Sequence, residues 1–165
     1  MGVELRDITM DDLPLYEALL TDPAMMSELG GPLPREGLEE KLQGIVDGVR
    51  AGTNWYSVVL ADGVPAGTVC VWESEWEGRP ASEIGWMVLP AFQGRGLATR
   101  AVRLILERAD LEGRWGPIHA FPGVTNAASN AICRKTGFRF VGREGVTYAG
   151  RTLRCNHWVR RPARS

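Results

Sequence analysis

Residues 90–102, "PAFQGRGLATRAV", put Pro90, Gly94 and Gly96 ahead of a run in which Leu97, Ala98, Ala101, Val102, Leu104 and Ile105 recur at helical spacing. Just upstream, "SEIGWMVL" at 82–89 reads as a strand. A strand, a Gly-x-Gly turn and a helix start are the parts of an anion cradle. The first backbone N–H groups of a helix have no internal partner, and the helix dipole leaves partial positive charge there. Glycines reach conformations closed to other residues and remove the side chains that would hold a ligand off those N–H groups. A pyrophosphate suits such an end, and Arg95 adds a mobile positive charge beside it. A dinucleotide fingerprint fits less well. Thr99 stands where the third small residue of G-x-G-x-x-G/A belongs, and the chain offers one obvious strand–helix–strand unit. Taken alone, the glycine pair is equally at home in a plain tight turn.

Residues 3–8 alternate as a short opening strand. A helix follows in "TMDDLPLYEALL" (9–20), capped by Thr9 or Asp11, with Leu13, Leu15, Leu19 and Leu20 on its apolar face. The breaker-rich "TDPAMMSELGGPLP" (21–34) separates it from a second helix over 35–49, with Leu38, Leu42, Ile45 and Val49 at helical spacing. "NWYSVVLADGVPAGTVCVWE" (54–73) predicts a hairpin turning at Asp62-Gly63, a dipeptide suited to a type I′ turn, with Trp55 and Tyr56 in the sheet core. The polar stretch "SEWEGRPA" (74–81) is expected to be a loop leading into the strand at 82–89. Beyond the glycine turn a helix runs to about Glu112, then a short strand in "GPIHAFP" (116–122). "TNAASNAICRKTG" (125–137) is a capped helix ended by Gly137. "FRFVGRE" (138–144) and "TLRCNHWVRR" (152–161) close the chain as strands around Ala149-Gly150. This order predicts one domain over 1–165, an α+β layered fold with a mixed, mostly antiparallel central sheet flanked by helices.

The 165 residues include 19 basic and 20 acidic side chains, a formal net charge of −1, with 44% hydrophobic and 24% charged residues. That balance sets up no global field for nucleic acid or a membrane surface. No segment approaches the roughly 20 apolar residues of a membrane span. Cys70, Cys133 and Cys155 are scattered and form neither a metal pair nor a disulfide framework. His119 and His157 stand isolated without metal-ligand spacing, so local packing is expected of both and no metal is expected. With an acidic N-terminal stretch and unpaired cysteines, a cytoplasmic location is the expectation.

Gln93-Gly94-Arg95-Gly96-Leu97-Ala98 fits Gln/Arg-x-x-Gly-x-Gly/Ala. "NAASNAICRKTGF" (126–138) supplies Asn126, Ser129, Lys135, Gly137 and Phe138 as Asn-x-x-Ser followed by Lys-x-Gly-Phe. Together these blocks resemble the coenzyme A-binding motifs of the GNAT acyltransferase superfamily, and the element order matches that fold nearly end to end. "SEIGWMVLPAFQGRG" (82–96) looks like the branch of ribosomal-protein-alanine N-acetyltransferases, whose corresponding stretch is Glu-Ile-Gly-Tyr-Trp. The resemblance implies that acetyl-CoA lies in a V-shaped gap where the strand at 82–89 splays from the one at 117–121. The backbone of Trp86, Met87 and Val88 would pair with the pantetheine as another strand would. Gln93 belongs to the pyrophosphate motif, and the amides of Gly94, Arg95, Gly96, Leu97, Ala98 and Thr99 would hold the pyrophosphate. Asn126 would reach the pantetheine arm.

Acetyl transfer to an amine needs a neutral amine, a polarised thioester carbonyl and a proton for the departing thiolate. Glu83, on the strand that borders the implied gap, is the candidate base; alternation places it on one face with Gly85 and Met87. Many family members carry a tyrosine acid seven residues after the second block's asparagine, where this chain has Cys133. In the alanine-acetyltransferase branch the acid's position is that of Ser129, which is favoured here over Cys133. The acceptor is expected among primary amines, either a protein N-terminus or a small molecule. "MMSELGGPLP" (25–34) would help to shape its cleft, and "WESEWEGRP" (72–80) offers Glu73, Glu75 and Glu77 with Trp72 and Trp76, a mix suited to a cationic or aromatic amine. A homodimer stays compatible with the sequence. Two other functions fit the same residues: a non-catalytic acyl-CoA sensor, which would bind without amine-stimulated turnover, and a nucleotide-binding module, which would prefer ATP or NAD.

Overall fold

A computed structural model describes residues 1–163. The chain runs β1 (Val3–Asp7), α1 (Leu13–Thr21), α2 (Leu38–Ala51), β2 (Asn54–Ala61), β3 (Val64–Trp76), β4 (Arg79–Val88), α3 (Leu97–Glu112), β5 (Ile118–Ala120), α4 (Ala127–Lys135), β6 (Arg139–Tyr148) and β7 (Arg151–Arg160). The seven strands form one sheet in the order β1-β2-β3-β4-β5-β7-β6. Each neighbouring pair is antiparallel except β4–β5.

The sheet is covered on both faces because its strands carry apolar residues on both. Under α3 and α4 lie Trp55, Val69, Ile84, Val88, Val102, Ile105, Cys133 and Trp158. Under α1 and α2 lie Ile8, Leu19, Met26, Leu38, Leu42 and Val58. Each helix has the stripe this requires: Leu15, Leu19 and Leu20 on α1, and Leu97, Ala101, Val102 and Ile105 on α3, are buried. Asp12 pins the entry to α1. Its carboxylate accepts Arg6 guanidinium bonds at 2.8 and 2.7 Å and the Thr9 N–H at 2.9 Å.

Three hairpins turn on left-handed pairs: Asp62-Gly63 (φ 49° and 80°), Glu77-Gly78 (49° and 73°) and Ala149-Gly150 (47° and 76°). Two consecutive positive φ values match the twist of the flanking strands. The middle turn corrects one expectation. Residues 74–81 are not a loop; β3 and β4 extend to Trp76 and from Arg79, with only Glu77 and Gly78 between them. The second helix starts at Leu38, three residues later than the periodicity suggests, because Gly37 holds φ 85° at its N-cap.

Candidate active site

β4 and β5 pair over two rungs only, Ser82↔Ile118 and Glu83↔His119. Beyond Glu83, β4 continues to Val88 beside β3 alone, while Ala120 of β5 pairs with β7. The sheet therefore splits. Leu89 N–H donates to Ala66 O on β3, and antiparallel alternation then turns the backbone groups of Ile84, Trp86 and Val88 away from β3; the Glu83↔His119 rung engages the Ile84 N–H with β5, so the Ile84 carbonyl and the groups of Trp86 and Val88 face the split. Met87 faces Thr68 on β3, so its N–H and C=O are engaged there. The Val88 carbonyl is already taken, by the Gln93 side-chain amide at 2.9 Å.

The split opens toward the glycine turn. Gly94 and Gly96 hold φ 77° and 72°, conformations that disfavour any side chain, and a Cβ at either would meet nothing within 4 Å. Gly96 is the N-cap of α3 and brings no side-chain cap. The first helical bond is Arg100 N–H to Gly96 O, which leaves the amides of Leu97, Ala98 and Thr99 without a partner in the helix. The Arg95 guanidinium lies 5.9 Å from the Phe92 ring centroid, at the exposed rim. Open space, uncapped amides and a helix N-terminus fit a pyrophosphate.

On the far wall, Asn126 caps α4, its Oδ1 accepting the Ser129 N–H at 3.1 Å; the NH2 is what it retains for a ligand. Ser129 is half-buried, and its hydroxyl accepts the Trp86 indole N–H at 3.2 Å across the split. Cys133 lies elsewhere. It has no exposed surface, belongs to the core under α3, and burial pushes its thiol up to about 12, as expected of a packing residue. Motif spacing does not single out Asn130, which proves central. Its NH2 bonds Gly123 O and Asn126 O, and its Oδ1 accepts from Asn156 and the Trp158 indole, both at 2.9 Å.

Glu83 lies on the opposite sheet face, across from Trp72 on β3 and His119 on β5. Burial raises its carboxyl above the ordinary range, and the Ser74 and Trp72 side chains draw it partly back. Gly85 gives this face its depth: a Cβ there would meet the Trp72 ring at 3.4 Å and Cys70 Sγ at 3.5 Å. Strand parity divides the acidic and aromatic residues expected to act together. Trp72, Ser74 and Trp76 share the Glu83 face, whereas Glu73 pairs with Ser82 and, with Glu75, points to the other side. The two histidines are not isolated either. His119 Nδ1 and His157 Nε2 are 2.7 Å apart in a stack with Phe121, and the Trp76 ring lies 4.4 Å from His157. The segment between α1 and α2 straps across this side: Arg151 donates to Leu29 O and Gly31 O, and Glu28 accepts from Thr125 at 2.8 Å.

The sequence pattern described as an acetyltransferase (GNAT) domain matches residues 3–139. No curated protein matches the sequence significantly. Among solved structures, the chain aligns with an acetyl transferase from Salmonella typhimurium that modifies the N-terminal serine of a ribosomal subunit protein, with TM-score 0.83, 21% identity and coverage of 99% of this chain and 96% of that one. A RimL ribosomal alpha-N-protein acetyltransferase in complex with coenzyme A gives TM-score 0.81 and 20% identity, with 98% and 95% coverage. An aminoglycoside acetyltransferase in complex with coenzyme A gives 0.79 and 19%, with 97% and 95% coverage. At these identities the likeness speaks for the fold.

Proposed function

The chain belongs to the GNAT acetyltransferase family, and from that premise we propose that it moves an acetyl group from acetyl-CoA to a primary amine by direct transfer in a ternary complex. The observation that carries this is the split itself. The Ile84 carbonyl and both backbone groups of Trp86 face a gap with no strand opposite, and the amides at the α3 N-terminus are uncapped. Pantetheine amides complete the first and the pyrophosphate the second. Glu83 receives the proton that the acceptor amine sheds as its nitrogen attacks the thioester carbonyl. Ser129 gives a hydrogen bond to the sulfur as the C–S bond breaks. The acceptor approaches from the Glu83 face, between Trp72 and the strap of residues 25–34. A protein N-terminus or a small-molecule amine both suit this site, and solved neighbours include enzymes described as acting on each kind.

Incubation with acetyl-CoA and a panel of N-terminal peptides and small amines, read as free thiol release, tests the function. Amine-dependent release well above the hydrolytic background is expected. If no amine raises it and coenzyme A leaves the melting temperature unmoved, the function is wrong.

A further inference from the structure

The hydrogen bond between Trp86 and Ser129, 3.2 Å across the split, has a direction that its chemistry dictates. An indole N–H only donates, so the Ser129 oxygen must accept. The Ser129 backbone N–H is held by Asn126 Oδ1 at 3.1 Å, which fixes the first turn of α4 beneath it. The hydroxyl hydrogen is therefore turned away from the indole, and among the described residues no protein acceptor takes it. Trp86 itself sits where β4 has no β5 partner, and its ring packs against the core under α3, which holds the donor.

We infer that Trp86 is a positioning residue: its indole holds the Ser129 oxygen so that the free O–H points at the thioester sulfur. The inference rests on the acetyl transfer proposed above and deepens it. In that step the amine nitrogen forms the C–N bond, and the C–S bond breaks with its electron pair on sulfur. Ser129 donates a hydrogen bond to that sulfur and keeps its own proton. The thiolate is protonated by water after release, and the surplus proton of the amine goes to Glu83. A donor fixed in advance toward developing charge needs no reorganisation as the bond breaks.

Trp86→Phe keeps the ring and deletes the N–H. In the otherwise native chain, kcat is expected to fall about 10-fold with KM for acetyl-CoA held within about 2-fold, the signature of a misplaced group rather than a lost binding contact. In a Ser129→Ala background the same substitution is expected to leave kcat where Ser129→Ala alone puts it, because the two act as one unit. A mere packing role would lower kcat equally in both backgrounds, and that result, or an unchanged kcat in the first, overturns the proposal. The bond is also read without turnover. The Trp86 indole resonance in a proton–nitrogen correlation spectrum, assigned by its loss in Trp86→Phe, is expected to move in Ser129→Ala; an unmoved resonance overturns the proposal as well. A parent with no amine-dependent turnover sinks the transfer function together with this inference, whereas an active parent indifferent to Trp86→Phe sinks the inference alone.

Discussion

Glu83 and Cys133 show how burial assigns roles to residues of similar chemical promise. Partial burial raises the Glu83 carboxyl yet leaves it on an open sheet face, so it ionises later than an ordinary carboxylate and binds a proton more readily when it does. In the proposed transfer the ionised form is the base. The acid limb of kcat/KM is therefore expected above the ordinary carboxylate range, with activity lost as pH falls through it. Glu83→Gln should lower kcat/KM by about 10²-fold, with high pH restoring part of the loss by supplying free amine. A deficit that persists unchanged at high pH would assign Glu83 to acceptor binding alone. Cys133, sealed in the core, is expected to behave oppositely: Cys133→Ala should cost about 1 kcal/mol of stability and leave kcat untouched. The face of Glu83 was legible in the sequence because strand alternation fixes it once the strand is placed. For Cys133, spacing along α4 does not tell which stripe meets the sheet, so it left an acid and a packing residue both open. The hydrogen-bonding hub of Asn130 was hidden for a related reason, as three of its partners, Gly123, Asn156 and Trp158, lie outside its helix.

At the scale of elements, the α3 N-terminus and the α4–β7 seam carry separable tests. Gly96→Ala and Gly96→Glu both place a side chain at φ 72°, a strain of about 1–2 kcal/mol that they share. Only the glutamate adds negative charge and bulk beside the uncapped amides. Coenzyme A binding, read by calorimetry, is expected to survive in the alanine variant and to vanish in the glutamate variant; equal affinities would remove the pyrophosphate from this turn. Asn130→Ala leaves the Trp158 indole N–H and the Asn156 side-chain NH2 without their partner, at a cost of about 2–3 kcal/mol, and chemical denaturation should report it. Most elements could be read from the sequence because periods of 3.6 and 2 are local properties of the chain. The Glu77-Gly78 hairpin escaped. A glutamate rarely opens a left-handed pair, and the polar residues on both sides of it look like loop until β3 and β4 are seen to pair there.

For the molecule as a whole, the decisive feature is that β5 is only three residues long, so β4 outruns it and the sheet splits. No local pattern encodes that; only the resemblance carried by the glycine turn and the second motif implied it. The same strand brings His119 against His157, and this contact gives the fold a pH dependence. Burial and the neighbouring His119 push the buried His157 down to about 4, and burial lowers His119 as well. Between pH 6.5 and about 4 the unfolded chain therefore binds more protons than the folded one at these positions, so stability rises with pH and is lost on acidification through that window. Two carboxylates act elsewhere on the scale. Burial alone would raise Asp12, but hydrogen bonds from Arg6 and Thr9 carry it below its ordinary value, and the Arg160 guanidinium does the same for Asp110. Their contribution is present above their unfolded value of 3.8 and is lost only below it. Glu83 has the opposite sign, since its raised folded value favours the fold on acidification. The histidine share is isolated by His157→Phe, which keeps a flat ring against Phe121 and leaves the half-exposed His119 to water. Melting temperatures of parent and variant are expected to differ little at pH 7. Below pH 6.5 the parent should fall more steeply, one proton accounting for at most about 1.4 kcal/mol per pH unit. Parallel curves down to pH 4 would mean that the buried His157 takes up no proton on unfolding.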